Sequence, residues 1–269
     1  MIGFHEVMQM SDATIKYRAP ALERGLDIIE LLSEQEEPLT KKDMAEKLGR
    51  SVNELFRMLN ILEARGYVAI DSETGKYHLT LKTFELSNKS PPLERLLSAA
   101  STELSDLAGV TQQSCHLTVF HDGMMVVVAK QDSPYKMGFS IRMSARIDIH
   151  ASGSGLAMLA YQTKEQAKAI LSQTHASPIE MDGAMSKLEK VREQGFFVGA
   201  SPQVSGMTNI SYPIFNAKQQ VEGVLTMPFL TLNSDSLHHQ VVSFEESRRA
   251  VGATAARLTA AIGGKYPTL

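Results

Sequence analysis

The N-terminal third of the sequence holds three short helical patterns in close succession, and this feature restricts the fold more than any other. Pro20 opens the first pattern, in which apolar residues recur at helical spacing. Thr40 is placed to cap a second, short helix that Gly49 ends. Ser51 is placed to cap a third helix that Gly66 ends. Helices this short must pack against one another to bury their apolar stripes.

A hairpin signal follows the third helix directly. The β-rich run at residues 67–70 and the run at residues 76–80 flank a polar turn, in which Gly75 is free to take a positive φ. A cluster of turn-forming residues at positions 88–92 then marks a domain boundary. Three helices followed by a hairpin predict one compact unit.

The third helix has two chemically different faces. Leu55, Leu59 and Leu62 recur at helical spacing and predict a buried stripe. The other face suits a DNA major groove, since Arg can bond guanine, Asn can bond adenine, and Phe can touch a thymine methyl group. The predicted base-reading residues are Asn53, Phe56, Arg57 and Asn60. An ordinary solvated helix face would show the same spacing, but the short preceding helix and the hairpin favour DNA binding.

Positive side chains flank this helix and are predicted to contact phosphates. They are Lys41, Lys42, Arg50 and Lys76, and Ser51 completes the predicted DNA-contacting set. The net charge of the chain is −3, however, and residues 1–90 hold 12 Lys and Arg against 15 Asp and Glu. Non-specific attraction to DNA is therefore weak. A ligand-binding or assembly module with a vestigial DNA-binding domain remains the alternative function.

The rest of the chain alternates between strand and helix patterns. With 269 residues, 43% of them hydrophobic, it can form two domains. Strands are predicted at residues 115–120, 124–130, 139–149, 196–198, 209–215 and 221–228, and helices at 93–107, 152–161, 164–172, 185–194 and 239–262. Strand pairs joined by hairpins, with helices in separate runs, predict an α+β fold with an antiparallel sheet.

Composition argues against several classes of protein. Cys115 is the single cysteine, which excludes an intramolecular disulfide and fits a reducing compartment. The first residues lack the order of a signal peptide, and no segment approaches the roughly 18 apolar residues of a membrane helix. We therefore expect a cytoplasmic protein that makes no membrane contact.

Two residue pairs raise the possibility of an enzyme or a metal site. Cys115 and His116 are adjacent, but neighbouring residues on a strand point to opposite faces and do not pair as nucleophile and base. His238 and His239 could join His150 in a metal site, as could His175, but no further ligand follows at zinc spacing. We expect no catalytic residue, no metal and no cofactor.

The sequence resembles the IclR family of bacterial regulators over nearly its whole length. The stretches APALERGLDIIELLSE, LTKKDMAEKLGRSVNELFRMLNILEARGYV and GKYHLT are similar to the N-terminal domain of that family. HASGSGLAMLA, GFFVGASPQVSGMTNISYPIF and VEGVLTMPF resemble its effector domain. The resemblance implies a winged helix-turn-helix, a linker helix and a GAF-like effector domain. It also implies a homodimer or dimer of dimers bound to double-stranded operator DNA.

Pattern and resemblance together predict four segments. They are a flexible tail (1–17), a winged helix-turn-helix DNA-binding domain (18–81), a linker region with a helix (82–108) and an effector-binding domain (109–269). The predicted function is a DNA-binding transcription regulator, a repressor, whose operator binding responds to a small organic-acid metabolite.

The glycine-rich stretch HASGSG leaves a strand and enters a helix. Such a helix start can offer backbone N–H groups to an anion, although a tight turn that needs glycine for packing would show the same residues. By resemblance, Gly153 and Ser154 match positions that contact ligand, Asn209 and Thr226 match pocket positions, and Phe139, with Met137 and Ile141, would form an apolar wall. The ligands of the family imply a small carboxylate effector.

Overall fold

The computed structural model describes residues 19–87, 91–232, 236 and 241–267. The chain divides into two compact units, Met1–Ser90 and Pro91–Leu269. The predicted α+β fold class is confirmed by the helices of the first unit and the antiparallel sheet of the second. No helix in the described ranges is long and apolar enough to cross a membrane. The tail predicted at residues 1–17 lies outside the described residues.

The first unit contains helices and one two-stranded sheet. Its elements are α1 (Pro20–Ser33), α2 (Lys41–Leu48), α3 (Val52–Ala64), β1 (Val68–Ile70), β2 (Tyr77–Leu79) and α4 (Lys82–Ser87). Strands β1 and β2 pair antiparallel, and Gly75 in their turn has a φ of 67°. The helices and the hairpin predicted from the sequence are therefore present, and α4 is an addition inside the predicted linker region.

Reciprocal hydrogen bonds determine where α2 and α3 begin. The Thr40 hydroxyl accepts from the backbone N–H of Asp43, while the Asp43 carboxylate accepts from the backbone N–H of Thr40. Ser51 and Glu54 make the same exchange at the start of α3. Gly49, with a φ of 61°, lets the chain turn between the two helices without a side-chain clash.

The apolar faces of these elements form one core. Ile28 of α1 and Leu55 and Leu59 of α3 have no exposed surface, and Tyr77 of β2 is nearly as buried. Leu62 packs against the edge of this cluster. The leucine stripe predicted for the third helix therefore faces inward, and its polar face is left to solvent.

The second unit is built on a six-stranded sheet. Its elements are α5 (Pro91–Thr111), β3 (Cys115–His121), β4 (Met124–Gln131), β5 (Arg146–Asp148), α6 (Gly153–Leu159), α7 (Lys164–Ser172), α8 (Pro178–Gln194), β6 (Phe197–Ala200), β7 (Met207–Phe215), β8 (Val221–Leu230) and α9 (Phe244–Ala261). The strands lie in the order β5-β4-β3-β8-β7-β6, and each neighbouring pair is antiparallel.

Side-chain alternation gives the sheet two different faces. Leu117 of β3, Ile210 of β7 and Leu225 of β8 belong to a core shared with α5 and α9. Met125 and Val224 belong to a second core on the opposite face, shared with α6, α7 and α8. Because helices cover both faces, most residues of β3, β7 and β8 are buried.

The strand predicted at residues 139–149 is wrong over most of its length. Pairing with β4 is regular only at Arg146–Asp148, and it ends near Ser144, whose φ of 60° is incompatible with an extended strand. Alternation at Phe139 and Ile141 has another cause, because both side chains line a cavity.

Two helices begin at other residues than predicted, because serine caps determine where they start. Helix α8 starts at Pro178, before the predicted residue 185, where Ser177 caps the helix. Helix α9 starts at Phe244 rather than residue 239, again after a serine cap at Ser243. Helix α5 belongs to the second compact unit, although the sequence places it in a separate linker.

Candidate functional site

The polar face of α3 is exposed as the sequence predicts. The four side chains proposed to read bases all lie on the solvent side of the helix: Asn53, Phe56, Arg57 and Asn60. Phe56 has 47% of its surface exposed, so its ring is available for contact with a partner molecule. The arrangement presents one guanidinium, two amides and one ring along two turns of helix, which is the chemistry of major-groove recognition.

The start of α3 holds a carboxylate that is already engaged. Glu54 accepts hydrogen bonds from the backbone N–H and the hydroxyl of Ser51, and its other oxygen lies 3.4 Å from the Arg24 guanidinium. These hydrogen bonds, chiefly the one from the Ser51 backbone, hold the pKa of Glu54 below its usual value. The carboxylate therefore stabilises the helix start, and Ser51 acts as its cap.

The four predicted phosphate-binding cations have different surroundings. Lys42 is exposed, and Lys76 is half-buried in the hairpin. The Lys41 ammonium lies 4.9 Å from the centre of the Phe56 ring, so it packs against the exposed face of α3. Arg50 makes an ion pair of 3.3 Å with Asp27 of α1. To contact a phosphate, Arg50 would have to leave Asp27 or bind both groups at once.

The second unit contains a cavity of about 510 Å³, part of which is open to solvent. All five predicted effector-binding residues line it: Phe139, Gly153, Ser154, Asn209 and Thr226. They come from four separate segments, namely the loop before β5, helix α6, strand β7 and strand β8. The structure thus brings the predicted residues together, while their contact with an effector stays a prediction.

Of the remaining lining residues, Ile141 was predicted as part of the apolar wall, whereas Met137, predicted with it, does not line this cavity. The apolar ones are Ile141, Ile147, Ala151, Pro202 and Met207, and the polar ones are His116, Asp148, Ser152, Ser201 and Gln203. The alternation of β3 offered a signal for His116, because Cys115 and His116 must face opposite sides of the sheet. The Cys115 sulfur lies 3.5 Å from the carbonyl oxygen of Leu104 on α5, whereas His116 faces the cavity.

A row of polar side chains crosses the cavity wall from strand to strand. His116 of β3 pairs in register with Thr226 of β8, which pairs with Ser211 of β7. The Thr226 and Ser211 hydroxyls are 2.9 Å apart and hydrogen-bonded. His116 is 4% exposed, and burial lowers its pKa from 6.5 to about 4. The imidazole is therefore neutral at physiological pH, with one donor and one acceptor nitrogen.

The start of α6 forms one end of the cavity. The Ser152 hydroxyl accepts from the backbone N–H of Gly155 and lies 3.2 Å from the Ser154 hydroxyl. A Cβ at Gly153 would lie 2.6 Å from the Phe197 ring and 2.8 Å from the Ser211 hydroxyl. Glycine is thus needed here for packing between α6 and the sheet, so the packing alternative left open by the sequence applies to Gly153.

The described lining of the cavity contains negative but no positive side-chain charge. Among the described residues, no lysine or arginine lines it, and Asp148 is its one acidic residue. Arg146, which is close in sequence, lies 3.7 Å from Asp122 instead. Binding of a carboxylate would therefore depend on hydroxyl and backbone donors at the start of α6, where the first N–H groups of a helix lack partners within the helix.

The residues that the structure describes bear on the thiol and metal alternatives in different ways. Burial raises the pKa of the Cys115 thiol to about 12, so the sulfur is not a thiolate at neutral pH. Within the described ranges, no three His, Cys, Asp or Glu residues are grouped to hold a metal. His238 and His239 lie outside the residues that the structure describes.

Two family models match the chain in the order of its two units. The IclR helix-turn-helix domain matches residues 21–72, and the domain described as "Bacterial transcriptional regulator IclR C-terminal" matches residues 94–252. These families contain transcription regulators rather than enzymes.

Individual proteins with known names or structures are similar over most of this chain. The transcriptional regulator KdgR of Dickeya chrysanthemi is 28% identical, over 83% of this chain and 76% of its own length. The transcriptional repressor AllR of Salmonella typhi is 24% identical, over 96% of this chain and 95% of its own length. An IclR homologue from Microbacterium hydrocarbonoxydans, solved with 4-hydroxybenzoate, shares the fold with a TM-score of 0.71 and 17% identity. That alignment covers 90% of this chain and 98% of the homologue.

Proposed function

Since the chain belongs to the IclR family of bacterial transcriptional regulators, we propose that it is a repressor whose operator binding changes when a small organic acid occupies the cavity. The coarser function follows from the family, namely a DNA-binding transcription regulator with an effector-binding domain. Repression and the chemistry of the effector go beyond that. They are supported by a similar protein that is named as a repressor, and by the architecture of the cavity.

The observation that carries the effector proposal is the convergence of distant residues on one cavity. Phe139, Ser154, Asn209 and Thr226 are far apart in sequence, yet they surround the same space. An apolar wall with a few inward polar groups is the usual composition of a small-molecule site. The volume of about 510 Å³ includes open solvent at the mouth, so the enclosed space is smaller and suits only a small metabolite.

An acid fits one end of this cavity. The hydroxyls of Ser152 and Ser154 and the backbone at the start of α6 provide donors beside the apolar wall. A carboxylate bound there would satisfy donors that otherwise require water. The neighbour solved with 4-hydroxybenzoate has a carboxylate ligand, which supports the same chemistry in this fold.

DNA binding is proposed to use the exposed face of α3 for bases and the flanking cations for phosphates. One such helix reads a short half-site, and residues 1–90 carry a net negative charge. Two linked readers therefore provide the affinity that one lacks. We propose a homodimer or a dimer of dimers, a pseudo-palindromic operator, and action in the cytoplasm where bacterial DNA resides.

The test combines DNA binding with ligand binding. Fluorescence anisotropy on the DNA upstream of the gene should show specific, salt-dependent binding that weakens when a stabilising acid is added. A thermal-shift screen of small organic acids supplies that compound. Absence of salt-dependent binding to any such DNA would favour the vestigial-domain alternative. If the acid instead strengthens DNA binding, the proposed direction of regulation is wrong.

Two threonine substitutions locate the ligand. Thr226→Val removes a hydroxyl that lines the cavity, and Thr208→Val makes the same change on the neighbouring strand, at a residue of β7 outside the cavity lining. Loss of one buried hydrogen bond should weaken acid binding by about fivefold or more in Thr226→Val, and Thr208→Val should bind like the wild type. Equal affinity in all three proteins would place the ligand elsewhere.

A further inference from the structure

His116 is buried in the cavity wall, and no described residue hydrogen-bonds to its ring. The side chain is 4% exposed and lines the cavity from the middle of the sheet. In the described part of the chain, neither ring nitrogen takes part in a hydrogen bond, and burial alone accounts for the shift of its pKa. The ring nitrogens are reached from the cavity, so a ligand that displaces water from them loses affinity unless one of its own groups bonds to the ring.

The polar groups around His116 in the cavity wall include both hydrogen-bond donors and acceptors. A neutral imidazole has one of each, and the Asn209 amide has both. The Thr226 hydroxyl is shared with Ser211 and can still donate or accept toward the cavity. A carboxylate contains acceptors only, and would leave the acceptor atoms of this wall unpaired. A hydroxyl group both donates and accepts, and so matches the wall.

Asp148 points to the same ligand chemistry. It is exposed at the cavity edge, and none of the described cations pairs with it. A carboxylate at this position repels a second negative charge but accepts a hydrogen bond from a hydroxyl group. The acid end of the ligand is therefore expected beside the Ser152 and Ser154 hydroxyls rather than beside the Asp148 carboxylate, with its hydroxyl groups along the sheet.

We propose that the effector is a hydroxy acid and that one of its hydroxyl groups hydrogen-bonds to the ring of His116. His116 is then the residue that selects hydroxylated acids over their unhydroxylated counterparts. The inference rests on the proposed function, because it assigns the second polar group of the same ligand. The preference for a hydroxylated acid follows from the free energy lost when an unhydroxylated acid binds. An acid without the hydroxyl group leaves the buried imidazole unpaired and displaces the water that could reach it.

Matched pairs of acids test the proposal on the full-length protein. The pairs are 4-hydroxybenzoate and benzoate, lactate and propionate, malate and succinate, and gluconate and hexanoate. Dissociation constants are measured by calorimetry for every acid that shifts the thermal midpoint. In the pair that binds, the hydroxylated member should bind about tenfold more tightly or better, the factor expected for one hydrogen bond to a buried group.

Variants at His116 connect this preference to the ring. His116→Phe keeps a flat ring but removes both nitrogens, so the ratio of the two dissociation constants should fall to about one, with the unhydroxylated acid bound much as before. His116→Gln keeps a donor and an acceptor and should retain part of the preference. Side-chain 15N NMR of the wild type gives a readout that does not depend on a variant folding. The His116 resonances should shift with the hydroxylated acid more than with its partner.

The possible results distinguish the role of His116 from the organic-acid effector itself. If acids bind with no preference for the hydroxylated member, or if the preference survives in His116→Phe, the role of His116 is wrong while the organic-acid effector stands. If no acid in either half of the panel binds, the proposed organic-acid effector is itself rejected, and the hydroxy-acid inference with it.

Discussion

Acidification should destabilise the second unit through His116. Burial lowers the pKa of this residue to about 4 in the folded chain, against 6.5 for an unperturbed imidazole. The unfolded chain therefore takes up a proton as the pH falls below 6.5, whereas the folded chain does so only near pH 4. The folded state prefers the neutral ring, so stability is lost progressively as the pH falls between these two values.

The size of the effect follows from the two pKa values. At pH 5 the unfolded imidazole is almost fully protonated and the folded one is about one-tenth protonated, which costs about 2 kcal/mol of unfolding free energy relative to pH 7.5. That loss is a substantial part of the stability of an ordinary domain.

Urea unfolding followed by circular dichroism at pH 7.5 and pH 5.0 measures this loss. The wild type should lose about 2 kcal/mol more between the two pH values than His116→Gln, since other titrating groups contribute equally to both proteins. His121→Gln places the same substitution at an exposed histidine at the end of the same strand, and should retain the wild-type pH dependence. An equal loss in the wild type and in His116→Gln would refute the assignment of a neutral, desolvated ring.

Four further outcomes are expected. Arg57→Ala should cost about 1–3 kcal/mol on operator DNA and less on scrambled DNA, whereas equal losses in binding titrations would make Arg57 a phosphate contact. Light scattering at micromolar concentration should show a dimer or tetramer, and a monomer that binds a half-site tightly would contradict the proposed assembly. Gly153→Ala should lower stability by about 1–3 kcal/mol, because its Cβ meets Phe197. Gly183→Ala, with open space around its Cβ, should leave stability unchanged or raise it in the same denaturation assay. Cys115, buried beside α5 with a pKa of about 12, should react with a thiol reagent only after local opening; rapid labelling of the native protein would show that α5 does not seal this face.

Local chemistry explains why the first unit could be predicted so closely. Thr40 and Ser51 begin their helices through hydrogen bonds that reach three residues along the chain. Gly49 and Gly75 take positive φ values that favour glycine whatever surrounds them. The exposed face of α3 follows from the helical repeat, because burying Leu55 and its neighbours turns the opposite side to solvent.

The same reasoning failed where a pattern had a non-local cause. Phe139 and Ile141 alternate like strand residues, but the space that they fill belongs to a cavity closed by other segments. Arg50 reads as a free cation in the sequence, and only the packing of α1 against the second and third helices brings Asp27 within 3.3 Å of it.

The cavity itself could not be derived from periodicity or spacing. Its predicted residues came from resemblance to a family, and the structure adds His116 and Asp148 to them. Hydrogen bonding of a side chain depends on which groups lie within about 3 Å of it in space, and no sequence pattern reports that distance. The sequence by itself determined the first three helices, the hairpin and the exposed polar face of α3. Only the tertiary structure decided that a histidine in the middle of a sheet is buried, neutral and without a hydrogen-bond partner among the described residues, because that condition depends on every element packed around it.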